Sequence, residues 1–365
     1  MPRLLLLVGC LLLLVGPTAE GGVVHHVIHV SVDGLRPDAV TNLGPDNAPN
    51  FYRMRTEGAF TDNARSDYDF TVTLPNHTTQ LTGRGVVGPA GHNWTGNDDP
   101  EPGQTLHSNK GSYVAGVFDV MHHHSLRTGL YAGKTKFSLL DVSWDAENGA
   151  PDATGRDKID VFVYDADSEL LTLQLVADMT AAPFDYVFLH LADGDAVGHL
   201  SGWDPTPGSD YSNAIMAMDR RLGLLFDMID HDARFAWHTA IILTADHGGI
   251  GVSHDDASLP EDYTVPFYVW GPGVGRGVDL YAANTAHRLD PGTSRPSYDD
   301  PGQPIRNGEA ANLSLRFLGL APVPGSTINA AQDLAVAIRR PFPSREAVQP
   351  AGQRPPVRRL LGCTR

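Results

Sequence analysis

Residues 239–249, TAIILTADHGG, decide the fold of this chain. The run up to Ala245 is apolar apart from two threonines, and such a run is typical of a buried strand. Asp246 and His247 follow it directly. A charge beside a buried strand is costly unless something cationic compensates it. The segment therefore predicts a strand that ends in a functional acid and histidine, with a satisfied polar turn as the alternative.

Two other segments repeat this pattern. Residues 23–32 (VVHHVIHVSV) end at Asp33-Gly34, and residues 184–192 (FDYVFLHLA) end at Asp193 and Asp195. A single Asp-Gly after a strand is usually only a turn. Three strands that each deliver acids at the carboxyl end point to a shared site.

Helical segments separate these strands. Residues 170–179 and 211–229 have apolar spacing near 3.6, and residues 264–270 (TVPFYVW) form a further predicted strand. Alternation of strand and helix predicts an α/β fold, a three-layer α/β/α sandwich with a mostly parallel central sheet. Ligands bind such sheets beyond the carboxyl ends of the strands, where the acids are expected. We interpret the Pro/Gly-rich stretch from residue 271 to 304 as a surface loop.

The composition predicts one large domain. The 365 residues are 41 % hydrophobic and 19 % charged, as in an ordinary globular protein. We expect a signal peptide at residues 1–19, a catalytic domain at 20–340 and a Pro/Arg-rich flexible tail at 341–365.

The first residues have the layout of a signal peptide. A basic Arg3 precedes an apolar run, and small residues follow up to Ala19, near which we expect cleavage. The run is about a dozen residues, whereas a bilayer span needs roughly 20. We therefore expect a secreted or periplasmic protein with no membrane span after signal removal, and lipidation at Cys10 is the weaker alternative.

The charge limits the partners. A formal net charge of −16 argues against binding to a nucleic acid duplex, because that affinity depends on clustered Lys and Arg. An acidic protein that handles phosphate needs local cations, which metal ions can supply. We expect a small-molecule phosphate ester as the substrate and make no prediction of the oligomeric state.

Two motifs carry the chemistry. Asp195 and His199 are four residues apart, so on a helix both point to one side, and an oxygen and a nitrogen ligand suit zinc. A surface pair or a helix cap is the alternative. In residues 71–77 (TVTLPNH), Thr73 lies just ahead of Pro75 at a predicted helix start, where phosphate charge is stabilised. A threonine hydroxyl needs a base or a metal to become a nucleophile.

These motifs, in this order, resemble those of the type I phosphodiesterase/nucleotide pyrophosphatase family of the alkaline phosphatase superfamily. The matching segments are Ser31-Val32-Asp33-Gly34, Thr73-Leu74-Pro75-Asn76-His77, Asp195 to His199 and Asp246-His247-Gly248, within residues 27–273. The resemblance implies an alkaline phosphatase-like fold and two divalent metal ions, expected to be zinc, that clamp the attacking and leaving oxygens.

The resemblance also divides the ligands between two metals. One metal would take Asp33, Thr73, Asp246 and His247; the other would take Asp195, His199 and one more histidine. In the family that last ligand lies much farther along the chain, whereas here only His254 and His287 follow the Asp-His pair. We expect His254, because a glycine-rich loop after the pair can fold back over the metals.

Residues 92–97 (HNWTGN) resemble the family stretch that ends in an asparagine touching a phosphoryl oxygen. Asn97 is therefore the expected donor, with Asn93 as a rival and an ordinary polar loop as the other interpretation. Gly133-Lys134-Thr135 resembles a nucleotide-binding loop, but Thr128 stands where the first glycine is required, so we assign it no function.

The implied function is hydrolysis of phosphate esters, most simply phosphodiesters or pyrophosphates, through a covalent phosphothreonine at Thr73. A phosphate monoesterase or phosphonate hydrolase would use the same ligands and is the alternative within catalysis. A sulfatase is disfavoured, because sulfatases use a modified cysteine or serine. A non-catalytic binding protein of the same fold is the alternative outside catalysis.

Overall fold

One mixed sheet of eight strands runs through residues 23–337, the part of the chain that the computed structural model describes. The strands are β1 (His26–Val32), β2 (Ala59–Arg65), β3 (Thr128–Ala132), β4 (Val161–Tyr164), β5 (Tyr186–Leu191), β6 (Thr239–Thr244), β7 (Thr264–Trp270) and β8 (Val278–Asp279). Their order across the sheet is β4-β3-β5-β1-β6-β7-β2-β8. β7 is antiparallel to both of its neighbours, and the other pairs are parallel.

Twelve α-helices accompany the sheet within the described residues. They are α1 (Pro37–Asn47), α2 (Pro49–Glu57), α3 (Thr73–Thr82), α4 (Leu106–Lys110), α5 (Val117–His123), α6 (Ser138–Ser143), α7 (Ser168–Ala181), α8 (Asp193–Ser201), α9 (Asp210–His231), α10 (Pro260–Tyr263), α11 (Leu280–Ala283) and α12 (Glu309–Phe317). A 3-10 turn occupies Thr135–Phe137.

The helices form two layers around the sheet. Helices α3, α5 and α12 contact one another, and α12 also packs on β1 and β6. Helix α9 contacts α1, α2, α7 and α8, and α7 packs on β3 and β5. The sheet thus lies between two helical layers, which confirms the predicted three-layer architecture.

The central strands place the acids side by side. β1 lies between β5 and β6, and all residues of β5 and β6 are buried. The register pairs Val32 with Leu191 and Ser31 with Thr244. Since these strands are parallel, the residues that follow them emerge at one edge of the sheet.

The predicted elements differ from the observed ones mainly at their ends and in the outer strands. The strand predicted for residues 23–32 begins only at His26, and residues 264–270 match β7. The stretch predicted as a loop after residue 271 contains β8 and α11, because β8 pairs with β2 at the edge of the sheet. Such short edge pairings depend on a distant partner rather than on a local pattern.

The two predicted terminal segments, the signal peptide at residues 1–19 and the tail at 341–365, lie outside the described residues. Among residues 23–337, none of the helices has the length and apolar character that crossing a membrane requires.

Candidate metal and phosphoester site

The acids that follow β1 and β6 meet at the edge of the sheet. Ligand atoms of Asp33, Asp246 and His247 lie within 4.8 Å of one another, and all three residues are buried. His247 Nε2 is 3.4 Å from Asp33 Oδ1 and 3.1 Å from Asp246 Oδ2. This group contains three of the four ligands expected for the first metal.

A second group adjoins the first and shares His247. Ligand atoms of Asp195, His247 and His254 lie within 4.8 Å of one another. His199, on α8 one turn after Asp195, brings Nε2 to 3.3 Å from Asp195 Oδ1 and 3.1 Å from His254 Nε2. Its side chain is 48 % exposed, whereas that of His254 is 3 % exposed, so the site opens to solvent at His199.

The loop after β6 brings His254 back to the site. The backbone N–H groups of Gly248 and Gly249 donate to the carbonyls of Asp262 and Glu261, and a short turn joins Ile250 to Ser253. His287, the other candidate, lies 3.5 Å from Asp333 with a side chain 54 % exposed. The geometry thus favours His254 over His287.

Hydrogen bonds to backbone carbonyls define which ring nitrogen faces the site. His254 Nδ1 is 2.6 Å from the Thr71 carbonyl, His199 Nδ1 is 3.1 Å from the Val252 carbonyl, and His247 Nδ1 is 2.8 Å from the Gly248 carbonyl. A carbonyl only accepts, so each Nδ1 carries the proton and each Nε2 is directed at the site. This is the arrangement that metal-binding histidines need.

Four buried atoms at the centre have no hydrogen-bond partner among residues 23–337: Asp33 Oδ1, Asp195 Oδ1, Asp246 Oδ2 and His247 Nε2. Buried polar atoms are nearly always paired, and the three carboxylate oxygens of this group repel one another. Cations in the two groups would satisfy these atoms. The donor set of carboxylate oxygens and imidazole nitrogens fits divalent zinc.

The ionisation of these residues follows from their burial and mutual charges. Burial, followed by repulsion from Asp33, raises the pKa of Asp246. Burial lowers the pKa of His247, but attraction to Asp246 and Asp33 outweighs it and raises that pKa to about 9. Burial and then the charge of His247 lower the pKa of His254 to about 2. A proton and a metal ion therefore compete for His247 Nε2.

Thr73 is the first residue of α3 and is 1 % exposed. Its backbone is held by a relay in which Gln80 donates to Ser31 Oγ, Ser31 contacts His77 Nε2 at 2.8 Å, and His77 Nδ1 donates to the Thr73 carbonyl at 2.8 Å. The hydroxyl of Thr73 thus stands at a helix N-terminus, where backbone N–H groups favour an anion.

The loop of residues 92–97 reaches the same helix end. Asn97 Oδ1 accepts a hydrogen bond from the Leu74 N–H at 2.9 Å, which places its amide group beside Thr73. Asn93 has a left-handed backbone (φ 62°) and a buried side-chain oxygen that has no partner in the described part of the chain. Its carbonyl accepts from Asn109 instead. Asn97 rather than Asn93 therefore adjoins the predicted nucleophile.

Lys134 also contacts the site, although its sequence motif indicated no function. Its Nζ is 2.6 Å from Asp33 Oδ2, 2.6 Å from Asp195 Oδ2 and 3.3 Å from Thr73 Oγ1. Burial lowers the pKa of Lys134, but the attraction of Asp33 and Asp195 outweighs it and raises that pKa. The available signal was its position just after β3, a strand whose parallel pairing with β5 was not predicted.

His190, at the end of β5, orients Asp33. The Gly133 N–H donates to His190 Nδ1 at 3.1 Å, so the proton is on Nε2, which lies 2.8 Å from Asp33 Oδ2. Burial raises the pKa of Asp33, but Lys134 and His190 outweigh it and hold that pKa well below its ordinary value. Asp33 Oδ2 is thereby held away from the centre, and Oδ1 is left facing it.

Packing of the Trp203 ring requires glycine at positions 198 and 249. Its indole N–H donates to the Gly34 carbonyl at 3.0 Å, and its ring lies 4.9 Å from His199 and 5.6 Å from His254. A Cβ at Gly198 or Gly249 would stand 2.2 or 2.4 Å from the ring. Only glycine lets the indole pack against these turns and support the histidines.

The comparisons with known structures identify the class of fold. An inactive variant of murine ectonucleotide pyrophosphatase/phosphodiesterase 5 in complex with AMP is 15 % identical over 85 % of this chain and 99 % of that one, with a TM-score of 0.58. The human protein is 15 % identical over 85 % of this chain and 99 % of that one, with a TM-score of 0.57. A 2-O GAG sulfatase, BT1596, is 12 % identical over 87 % of this chain and 76 % of its own, with a TM-score of 0.57. The fold is thus the alkaline phosphatase-like one.

The family follows from the sequence model that matches residues 27–267. The chain belongs to the type I phosphodiesterase/nucleotide pyrophosphatase family, which consists of metal-dependent hydrolases of phosphoric ester and pyrophosphate bonds. No curated protein matches the chain. The predicted family and fold are confirmed, and a phosphodiesterase-type function is supported.

Proposed function

We propose that this protein hydrolyses nucleotide phosphodiesters or pyrophosphates with two zinc ions and a covalent phosphothreonine at Thr73. The observation that carries the proposal is the convergence of three carboxylate oxygens and one imidazole nitrogen, all buried and without a hydrogen-bond partner among residues 23–337, beside the N-terminus of the helix that begins with Thr73. A site for cations next to a helix N-terminus is suited to a phosphate group.

The ligands divide as the family resemblance implies. Asp33, Asp246 and His247, with Thr73, would hold one ion, and Asp195, His199 and His254 would hold the other. Ions held by these residues would supply positive charge that polarises the phosphoryl oxygens and stabilises charge on the attacking and departing oxygens. His199, the exposed ligand of this set, leaves the second group open to solvent.

The residues of the chain carry the two displacements. Thr73 Oγ forms a bond to phosphorus, and the bond to the leaving oxygen breaks. Asn97, held beside Thr73 by its contact with the Leu74 N–H, donates its amide to a phosphoryl oxygen as charge develops. Water then attacks phosphorus and restores the Thr73 hydroxyl, so that one water is consumed for each ester cleaved.

Three features support a nucleotide substrate in an exported enzyme. The family acts on phosphodiesters and nucleotide pyrophosphates. A similar murine protein has been solved with AMP, which contains one phosphoryl group and a nucleoside. Secretion rests on the predicted signal peptide, which lies outside the described residues.

The test pairs a diester, the p-nitrophenyl ester of thymidine 5′-phosphate, with the monoester p-nitrophenyl phosphate in the presence of zinc. Wild type should cleave the diester faster, and Thr73→Ala should lose turnover. Thr82→Ala is the matched control, because within residues 23–337 its hydroxyl bonds to the Thr78 carbonyl alone, at the far end of α3. Mass spectrometry of protein acid-quenched during turnover of the diester should find a thymidine 5′-phosphoryl group on Thr73.

Three outcomes would overturn parts of the proposal. Preference for the monoester would move the protein to the monoesterase alternative. Full activity of Thr73→Ala would exclude the phosphothreonine. If zinc-loaded wild type cleaves neither ester, the catalytic assignment is wrong.

A further inference from the structure

Lys134 makes three contacts that no ordinary surface lysine makes. Its ammonium contacts one carboxylate from each candidate metal group, Asp33 and Asp195, and the hydroxyl of Thr73. Its side chain is only 19 % exposed. An ammonium has three N–H donors and no acceptor, so these three contacts use its full capacity.

The contacts leave the metal-facing atoms free. Lys134 contacts Oδ2 of both Asp33 and Asp195, whereas the unpartnered atoms at the centre are Oδ1 of the same residues. A cation at the centre and the ammonium of Lys134 can therefore use opposite oxygens of each carboxylate. Lys134 does not need to leave for a metal to bind.

The segment around Lys134 is anchored on both sides. Before it, the Gly133 N–H donates to His190; after it, the Thr135 hydroxyl donates to Asp99, and the Phe137 ring lies 4.3 Å from that of His190. The ammonium is thus preorganised rather than drawn in by a flexible tether, and a preorganised donor costs little reorganisation during a reaction.

We propose that Lys134 is a further catalytic residue of this site, which ties Asp33 to Asp195 and donates a hydrogen bond to the attacking oxygen of Thr73. This inference rests on the proposed function of Thr73 as the nucleophile. The ammonium places a fixed positive charge beside Thr73 Oγ as that oxygen loses its proton to solvent water and bonds to phosphorus. A purely structural ion pair would need only the two carboxylates and no contact with Thr73.

The first test compares Lys134→Met with Lys136→Met, which removes the same charge from the same loop. Lys134→Met should lower kcat for the thymidine diester by about 10²- to 10³-fold, the usual effect of removing one preorganised donor. Its KM should change little. Lys136→Met should stay within a few fold of wild type, and Lys134→Arg should restore part of the loss, because it keeps a charged donor.

Leaving-group dependence separates two possible actions. If Lys134 acts on Thr73, Lys134→Met should lower the rate by a similar factor for aryl esters with acidic and with basic leaving groups. A loss that grows as the leaving group becomes more basic would show that Lys134 acts on the departing oxygen, and the proposal would be wrong.

A second readout is independent of turnover. Lys134→Met leaves the buried carboxylates of Asp33 and Asp195 without a counter-charge, which should destabilise the fold. In the presence of a chelator, the variant should therefore melt at a lower temperature than wild type. Added zinc should reduce this difference in melting temperature. The measured zinc content should show that wild type and Lys134→Met both bind metal. If the two proteins melt at the same temperature in the presence of a chelator, the proposal that Lys134 links Asp33 to Asp195 is wrong.

The outcomes distinguish the two proposals. Zinc-loaded wild type that cleaves no ester would overturn the proposed function and the catalytic role of Lys134 together. Active wild type with an equally active Lys134→Met would overturn only the role of Lys134.

Discussion

His199 and His254 present their Nε2 atoms to each other at 3.1 Å, although each ring donates its proton elsewhere through Nδ1. Two nitrogen lone pairs at this distance repel, and a divalent cation that both nitrogens ligate removes the repulsion. Residues 55 positions apart in the chain are thus placed for one shared cation.

His254→Ala should therefore weaken metal binding, whereas His287→Ala should not. His254→Ala removes an Nε2 ligand atom that faces Asp195 and His199. His287→Ala removes an exposed ring that contacts Asp333. We expect one equivalent of zinc to bind at least tenfold more weakly in His254→Ala, measured by competition with a chromophoric chelator. If His287→Ala shows the larger loss, the ligand assignment is wrong.

His190→Phe should reduce activity without removing any proposed ligand. The hydrogen bond from His190 Nε2 holds Asp33 Oδ2, so its loss lets the carboxylate rotate away from the metal-facing position. Loss of such an outer partner typically costs 10- to 100-fold in metal affinity or activity. His190→Gln, which keeps an N–H donor, is the control and should recover part of the activity. If wild type, His190→Phe and His190→Gln bind zinc with equal affinity, the proposed role of His190 in orienting Asp33 is wrong.

Asn97→Ala should lower kcat/KM for the diester by about 10²-fold, because it removes the amide expected to donate to the phosphoryl group. Asn93→Gly is the matched control, since glycine tolerates the left-handed backbone at that position. Steady-state kinetics on both variants decides between the two asparagines. A larger loss in Asn93→Gly would reverse the assignment.

Asp141→Asn should stabilise the protein at pH 7 but not at pH 4. Burial, followed by repulsion from Asp157 and Asp145, raises the pKa of Asp141 to about 6. A carboxyl whose pKa is higher in the folded state than in the unfolded state stabilises the fold below about pH 4, and this stability is lost as pH rises through about 6. Because Asp141 is partly exposed, we expect a gain of only about 0.5 kcal/mol at pH 7 after solvent screening.

Urea unfolding at the two pH values measures this difference. Asp227→Asn, on the exposed face of α9, is the control and should not change the free energy of unfolding at either pH. A gain for Asp141→Asn that is the same at pH 4 and pH 7 would rule out the carboxyl charge as its cause.

Much of the site could be predicted because its residues follow strands or share a helical turn. The apolar runs of β1, β5 and β6 are visible in the sequence, and Asp33 and Asp246 come directly after two of them. Asp195 and His199 meet because residues four apart lie on one face of α8. These relationships depend only on the periodicity of the backbone.

Other residues could not be predicted, because loop closure and sheet order bring them to the site. Lys134 reaches Asp33 and Asp195 only because β3 pairs with β5, and the short run of β3 gives no signal of that pairing. His254 was predicted, with His287 as the other candidate, and hydrogen bonds that return its loop to Thr71 decide between the two. Trp203 is placed by the bond from its indole to Gly34.

The sequence by itself determined the family, the parallel core of the sheet and the acids and histidines that follow its strands, because local periodicity and contiguous motifs encode them. Only the tertiary structure decided which distant side chains complete the site. Lys134 and His190 are fixed by contacts with residues more than fifty positions away, and such contacts form only when the chain packs against itself.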